Sequence, residues 1–252
     1  MPRYKLIIEY DGTDFVGWQR QDNGLSIQGA IENAVKGYCQ VDALVQGAGR
    51  TDSGVHALGQ TAHVDLPRHD APDIVAKALN AHLRPHPIVI VKAELVEDDF
   101  HARFSAIERG YEYRIQNRRA RPALEVNRAW WVSARLDADA MHRAAQCLVG
   151  RHDFSTFRAA VCQSSSPVKT LSEISVARHG EFVVLTTRAR SFLHHQVRNV
   201  VGTLKLVGEG KWREGDVAKA LAACDRTAGG PTAPSHGLYL THVRYPEGVA
   251  DR

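Results

Sequence analysis

Apolar and polar side chains alternate at the start of the chain, with Leu6, Ile8 and Tyr10 on one side and Lys5 and Glu9 on the other. That period of two predicts a half-buried strand over residues 4–10, which Asp11-Gly12 ends as a turn. The spacing then becomes helical. Ile27, Ala30, Ile31, Ala34 and Val35 form one stripe behind Ser26, a residue type that caps helix N-termini, so a helix is predicted over about 26–38. A strand is expected over 61–66 and a second helix over 73–83. Arg84-Pro85-His86-Pro87 stops that helix, and 87–96 reads as a strand. A similar order recurs downstream: strands over 110–116 and 128–132, a helix over 137–149, and strands over 171–178 and 181–190. Helices over 193–208 and 214–224 and a closing strand over 238–244 complete the chain.

This interleaving predicts an α+β fold in two halves, each a sheet with helices packed mainly on one face. The boundary is placed between residues 104 and 109, giving an N-terminal half of 1–104 and a C-terminal half of 105–252, although no Ser/Gly linker marks it. The halves share element order, not residue identity.

Of 252 residues, 44% are hydrophobic and 24% charged, a balance that excludes a disordered chain and one embedded wholly in a membrane. The basic excess, 32 against 28, is too small to diagnose a nucleic-acid partner. Distribution says more. Arg109, Arg114, Arg118, Arg119 and Arg121 stand against one acid, Glu112, in a run that reads either as a surface of high positive potential or as a solvated loop. Cys39, Cys147, Cys162 and Cys224 lie far apart with no C-x-x-C pair, so no structural zinc site is expected. The N-terminus lacks the apolar segment of a secretory signal and no stretch is long enough to span a bilayer. A cytoplasmic protein with reduced thiols follows as the expectation.

Candidate chemistry concentrates in Gly47-Ala48-Gly49-Arg50-Thr51-Asp52-Ser53-Gly54-Val55-His56-Ala57, where glycines bracket an Arg, a Thr and an Asp. The spacing fits neither the G-x-x-x-x-G-K-[ST] nor the G-x-G-x-x-G nucleotide fingerprint. From the residues alone, a structural turn and a functional loop both stay open.

The segment resembles the active-site loop of the tRNA pseudouridine synthase I (TruA) family. Further segments resemble that family in the same order. They include Asp11-Gly12-Thr13, Phe15-Val16-Gly17-Trp18-Gln19, Ser26-Ile27-Gln28-Gly29, Phe100-His101-Ala102-Arg103-Phe104-Ser105-Ala106 and Arg109-Gly110-Tyr111-Glu112-Tyr113. Later ones are His152-Asp153-Phe154-Ser155-Thr156-Phe157, Ser191-Phe192-Leu193-His194-His195-Gln196-Val197-Arg198-Asn199 and Ala233-Pro234-Ser235-His236-Gly237-Leu238-Tyr239-Leu240. Ser53 stands where the family usually has Ala, and Gln196 where Met is common.

The resemblance implies a pseudouridine synthase core of two RRM-like halves, with a mixed, mainly antiparallel sheet and a central basic cleft. It implies isomerisation of uridine to pseudouridine at positions 38 to 40 of the tRNA anticodon stem-loop, by a homodimer, without metal or organic cofactor. By the same resemblance Asp52 is the nucleophile and Arg50 helps extrude and hold the target nucleotide. Tyr111 stacks on the base and is a candidate proton acceptor, Arg198 partners the carboxylate, and Leu238 lies beneath the uracil, though Leu240 shares its alternation.

These residue types suit the reaction. A carboxylate stays charged, ready to react, when a guanidinium lowers its pKa, and a tyrosine offers an apolar face with a polar tip. A uridine in a stem must be flipped out at a cost of a few kcal/mol. His56, His63, His101, His194 and His195 match no H-E-x-x-H or zinc-deaminase spacing and are assigned to packing, hydrogen bonding or RNA contact. Two rivals remain: a non-catalytic RNA-binding protein on the same scaffold, and a metal-dependent hydrolase, which lacks nearby additional carboxylates.

Overall fold

The computed structural model describes residues 1–22, 24–160, 162 and 164–246, so residues 247–252 of the predicted C-terminal half lie outside the described residues. The chain forms two compact units, one of Met1–Arg109 together with the chain from Tyr239 on, the other of Gly110–Leu238. In chain order the elements begin with β1 (Arg3–Tyr10), α1 (Ile27–Cys39), β2 (Gln46–Gly47), β3 (His56–Asp65), α2 (Pro72–Leu83) and β4 (Ile88–Val96). They continue with β5 (Glu108–Asn117), β6 (Trp130–Val132), α3 (Ala138–Ala145), β7 (Gly150–Asp153), β8 (Val168–His179) and β9 (Phe182–Ala189). The last are α4 (Gln196–Gly208), α5 (Glu214–Ala223) and β10 (Leu238–Arg244). The fold is α+β, with mixed and mostly antiparallel sheets, as predicted.

In the first unit the strands run β4-β1-β3-β10, with β2 on β3. β1 is antiparallel to both neighbours, whereas β10 is parallel to β3, pairing Tyr239 with His56 and Leu240 with Ala57. The period of two predicted for β1 is realised as a row of buried side chains, Tyr4, Leu6, Ile8 and Tyr10, each contributing about 1.5–3 kcal/mol by burial. α1 starts where Ser26 Oγ accepts from the Gly29 N–H at 3.1 Å, and it buries the predicted stripe. α2 opens on Pro72, whose missing N–H costs nothing in a first turn. It lies against β4 and packs with α1.

β3 begins at His56, five residues ahead of the strand predicted from 61. His56, Ala57, Gln60, Thr61, Ala62, His63 and Val64 are all buried, so both faces are covered and the local alternation that would reveal the strand is lost. His63 accepts from the Ala102 N–H at 3.1 Å, and burial, reinforced by His101 and Arg3, pushes its pKa down to about 4. The unfolded chain binds this proton near pH 6.5 and the folded one does not, so stability falls as pH drops from about 6.5 to about 4, by at most roughly 3 kcal/mol. In His63→Asn, Oδ1 replaces Nδ1 as acceptor. Denaturant titrations across that window are expected to show a flatter pH dependence for the variant, and an identical slope would refute the assignment.

In the second unit the order is β5-β9-β8-β7, with β6 parallel to β5. α3 lies on β8 and meets α4 and α5. The helix predicted over 137–149 is α-helical from Ala138 to Ala145, capped by Asp137, and then tightens into a 3-10 turn at Gln146–Leu148. β7 was not predicted, because its four residues carry Arg151, His152 and Asp153 and show no apolar alternation. α4 starts three residues later than predicted, where His195 adopts φ 62°. It is buried almost all round: Val197, Val200, Val201, Leu204 and Val207 are joined by Asn199, Gly202 and Thr203. Arg198 and Lys205, seven residues apart, share the partly open flank. Among the described residues no helix is long and apolar enough to cross a membrane.

Candidate active site

The glycine-rich loop of the first unit is held on both sides of Arg50 and Asp52. Upstream, the Ala48 N–H donates to Thr61 O at 2.7 Å, Ala48 O accepts from Arg109 Nη2 at 2.7 Å, and Gly49 O accepts from Gln60 Nε2 at 3.0 Å. Thr51 O accepts from the Trp18 N–H at 3.0 Å and its Oγ1 meets Tyr10 Oη at 2.8 Å. Downstream, Asp52 O accepts from the Val55 N–H at 3.2 Å and Ser53 Oγ donates to Phe15 O at 3.0 Å. Arg50 is exposed and Asp52 half-buried. A carboxylate on a pinned backbone yet open to solvent is pre-organised for chemistry on an incoming group.

Part of this bracing comes from Gly12 and from Phe15-Val16-Gly17-Trp18. Gly17 has φ 115°, and a Cβ there would fall 2.6 Å from Thr51 O; a Cβ on Gly12 would fall 2.0 Å from Val55 O. Glycine is therefore required for the two loops to touch. The Gly12 N–H also donates to His56 Nδ1 at 3.0 Å, and the His56 ring stacks on Tyr239 at 4.7 Å. His56 and His63 thus serve packing and hydrogen bonding, as does His101, whose Nε2 pairs with Gln46 Oε1 at 3.0 Å.

Within the second unit, Tyr111, Tyr113 and Ile115 share one face of β5. Tyr113 and Ile115 are fully buried and Tyr111 is half-buried, so it sits where the covered face opens. Its ring stands edge-on to Phe192 at 5.1 Å. Arg198 Nε donates to Ala233 O at 2.8 Å while the Ala233 N–H donates back to Arg198 O at 3.1 Å. Tyr113 Oη donates to Pro234 O at 2.8 Å, and burial raises its pKa, opposed by Arg198. Asn199 anchors the same segment: its Oδ1 accepts from Thr232 Oγ1 at 2.7 Å and from Arg226 at 3.2 Å. Leu238 follows after a turn at Ser235–Gly237 and is buried, as is Leu240.

The arginine run divides in two. Arg114 pairs with Glu112 at 2.6 Å, Arg118 pairs with Glu181 at 2.9 Å and donates to two nearby carbonyls, and Arg109 donates to Ala48 O and Arg103 O. Arg119 and Arg121 are exposed. Sequence reasoning missed Tyr10, Trp18, Gln60 and Asn199 as supports. The first three sit in strand or turn patterns read as ordinary packing, and only the density of glycines nearby hinted that two loops must meet.

The family model described as tRNA pseudouridine synthase matches residues 6–105 and 144–246. The chain belongs to this family. Its reaction isomerises uridine to pseudouridine. The chain is 62% identical over 245 residues to the tRNA pseudouridine synthase A of Paramagnetospirillum magneticum, covering 97% of this chain and 96% of the relative. It is 60% identical over 246 residues to that of Rhodospirillum rubrum, covering 98% and 88%, and 61% identical over 245 residues to that of Rhodospirillum centenum, covering 97% and 100%. Arg50, Asp52, Arg198 and Leu238 fall inside the segments matched by the pseudouridine synthase model, and Tyr111 falls between them.

Proposed function

We propose that this chain isomerises uridines at positions 38 to 40 in the anticodon stem-loop of tRNA, as a cytoplasmic homodimer, with Asp52 as nucleophile. The observation that carries the reading is the half-buried Asp52 on a loop whose backbone is fixed at Ala48, Gly49 and Thr51 and whose Ser53 hydroxyl is tied to Phe15 O. Family membership supports the reaction, and the resemblance supports the target positions and the dimer.

Arg50 grips a phosphate or fills the gap left by the everted base. Asp52 acts at the nucleoside by attack on C1′, by removal of a sugar proton to form a glycal, or by attack on C6. In each route the bond from C1′ to N1 breaks, the uracil turns, and C1′ joins C5. C5 then loses a proton, for which Tyr111 is the candidate acceptor, while N1 gains one, so substrate and product are isomers and no redox partner is needed. Tyr111 stacks on the base and Leu238 supports it from beneath. Arg198, oriented by Ala233 O, keeps the carboxylate ionised.

Recognition of folded RNA rests on shape and backbone charge. Arg119 and Arg121 are the exposed members of the arginine run. The double variant Arg119→Glu/Arg121→Glu is therefore expected to weaken tRNA binding roughly tenfold at low salt and to reduce the salt slope by about two. Affinity unchanged across a salt series would remove these two residues from the RNA surface.

The decisive assay incubates the protein with unmodified tRNA bearing uridine at position 39, with and without a chelator, and maps pseudouridine. Product at that position, unaffected by chelation, is expected. Binding without product would favour a non-catalytic RNA-binding role, and product at other uridines alone would move the target. Light scattering of the purified protein checks the dimer.

A further inference from the structure

Arg109 opens the arginine-rich run, yet its guanidinium is turned to the protein's own backbone. Nη2 donates to Ala48 O at 2.7 Å and to Arg103 O at 2.8 Å. We propose that Arg109 is a positioning residue for Asp52: it clamps the upstream arm of the glycine-rich loop to the 101–105 segment and so fixes where the carboxylate stands. The proposal rests on the reading of Asp52 as nucleophile.

The 101–105 segment is a firm anchor. The Ala102 N–H donates to the buried His63, and Tyr245 Oη donates to Ala102 O at 2.7 Å. The Arg103 N–H donates to His101 Nδ1 at 3.1 Å, and the His101 N–H donates to Ser105 Oγ at 3.0 Å. This segment is therefore tied both to β3 and to the chain beyond β10. The loop arm it holds has less of its own. The Ala48 N–H is fixed on Thr61 O, but its carbonyl depends on a side-chain donor. The next residue, Gly49, has no side chain to restrict it, and among the described residues a Cβ there would meet only Arg109 Nε, at 4.0 Å. A charged donor shared by two carbonyls is stronger than a neutral one, and the planar guanidinium fixes its direction. Arg109 thus passes the rigidity of the anchor to the backbone four residues before Asp52.

The alternative for Arg109 is phosphate binding, and the two roles predict opposite kinetics. A phosphate ligand, once removed, weakens tRNA binding and lowers the salt slope by about one. A positioning residue leaves affinity alone and slows chemistry, since a shift of about 1 Å in a reacting group can cost on the order of 10²-fold.

Wild type, Arg109→Met, Arg109→Lys and Asp52→Asn are compared by single-turnover pseudouridine formation at saturating tRNA and by equilibrium tRNA binding over a salt series. Arg109→Met is expected to lose about 10²-fold in rate, with Kd within about twofold and an unchanged salt slope. Arg109→Lys, keeping the charge but not the planar donor, should recover part of that loss. Should Arg109→Met fail to fold, Arg109→Lys carries the test by the same split. A weakened Kd with a wild-type saturating rate overturns the proposal, as does an unaltered rate in both variants. Undiminished turnover by Asp52→Asn overturns both readings together, whereas an inactive Asp52→Asn beside a fully active Arg109→Met overturns this one alone.

Discussion

Asp52→Asn is expected to lower pseudouridine formation by on the order of 10⁴-fold or more while leaving tRNA affinity within a few fold. Asparagine keeps the shape and one oxygen but neither the charge nor the nucleophilicity, and attack on C1′, glycal formation and attack on C6 each need an ionised carboxylate. The loop itself should survive. The bonds described for it run through Ala48, Gly49, Thr51, Ser53 and the backbone carbonyl of residue 52, and none of these requires the Asp52 carboxylate. Removing a negative charge from a surface that meets phosphates should hold affinity level or raise it. Single-turnover mapping of pseudouridine, with binding measured in parallel on the same preparations, separates the two effects. A variant within tenfold of wild type would remove Asp52 from the chemistry. A variant that neither reacts nor binds would require its thermal transition to be compared with that of wild type before the loss could be assigned to chemistry.

Local pattern was enough wherever the physics is local. β1 and α1 were legible because one face of each is wholly buried and the other is more open and carries polar residues, and α1 also carries its own cap in Ser26. The Asp52 loop was legible as a place of interest from its glycines, but its role came from resemblance and not from spacing. What stayed hidden depends on contacts distant in sequence. Nothing near Tyr10 marks it as the partner of Thr51, 41 residues away, and nothing in Arg109-Gly110-Tyr111 shows that this arginine faces Ala48 O while Arg119 faces solvent. Arginine is equally suited to phosphate and to backbone carbonyls, so composition cannot divide the run; only the fold does. β3 was shortened in prediction for a related reason, since a strand covered on both faces has no polar side to give its period away.

Gly202→Ala is expected to destabilise the protein by about 3–5 kcal/mol, lowering Tm by roughly 10 °C, and to remove activity even where the chain remains folded. In a helix interior this exchange ordinarily stabilises by up to about 1 kcal/mol. Here a Cβ on residue 202 would fall 1.7 Å from Pro231 O and 2.8 Å from Pro231 C, so α4 and the segment beginning at Gly230 cannot keep their spacing. That segment is bound to α4 along its length. The Gly230 N–H donates to Thr203 Oγ1 at 2.9 Å, Thr232 Oγ1 donates to Asn199 Oδ1 at 2.7 Å, and Arg198 and Ala233 bond reciprocally. Displacing it breaks several buried or partly buried hydrogen bonds at about 1 kcal/mol each. It also withdraws the carbonyl that orients Arg198 and the one that receives Tyr113 Oη. Gly215→Ala in α5 is the matched control, because a Cβ there meets nothing within 4 Å among the described residues, and a small gain in stability with normal turnover is expected. If Gly202→Ala melts and turns over like wild type, the close approach of α4 to Pro231 is not a feature of the working protein, and the support assigned to Arg198 falls with it.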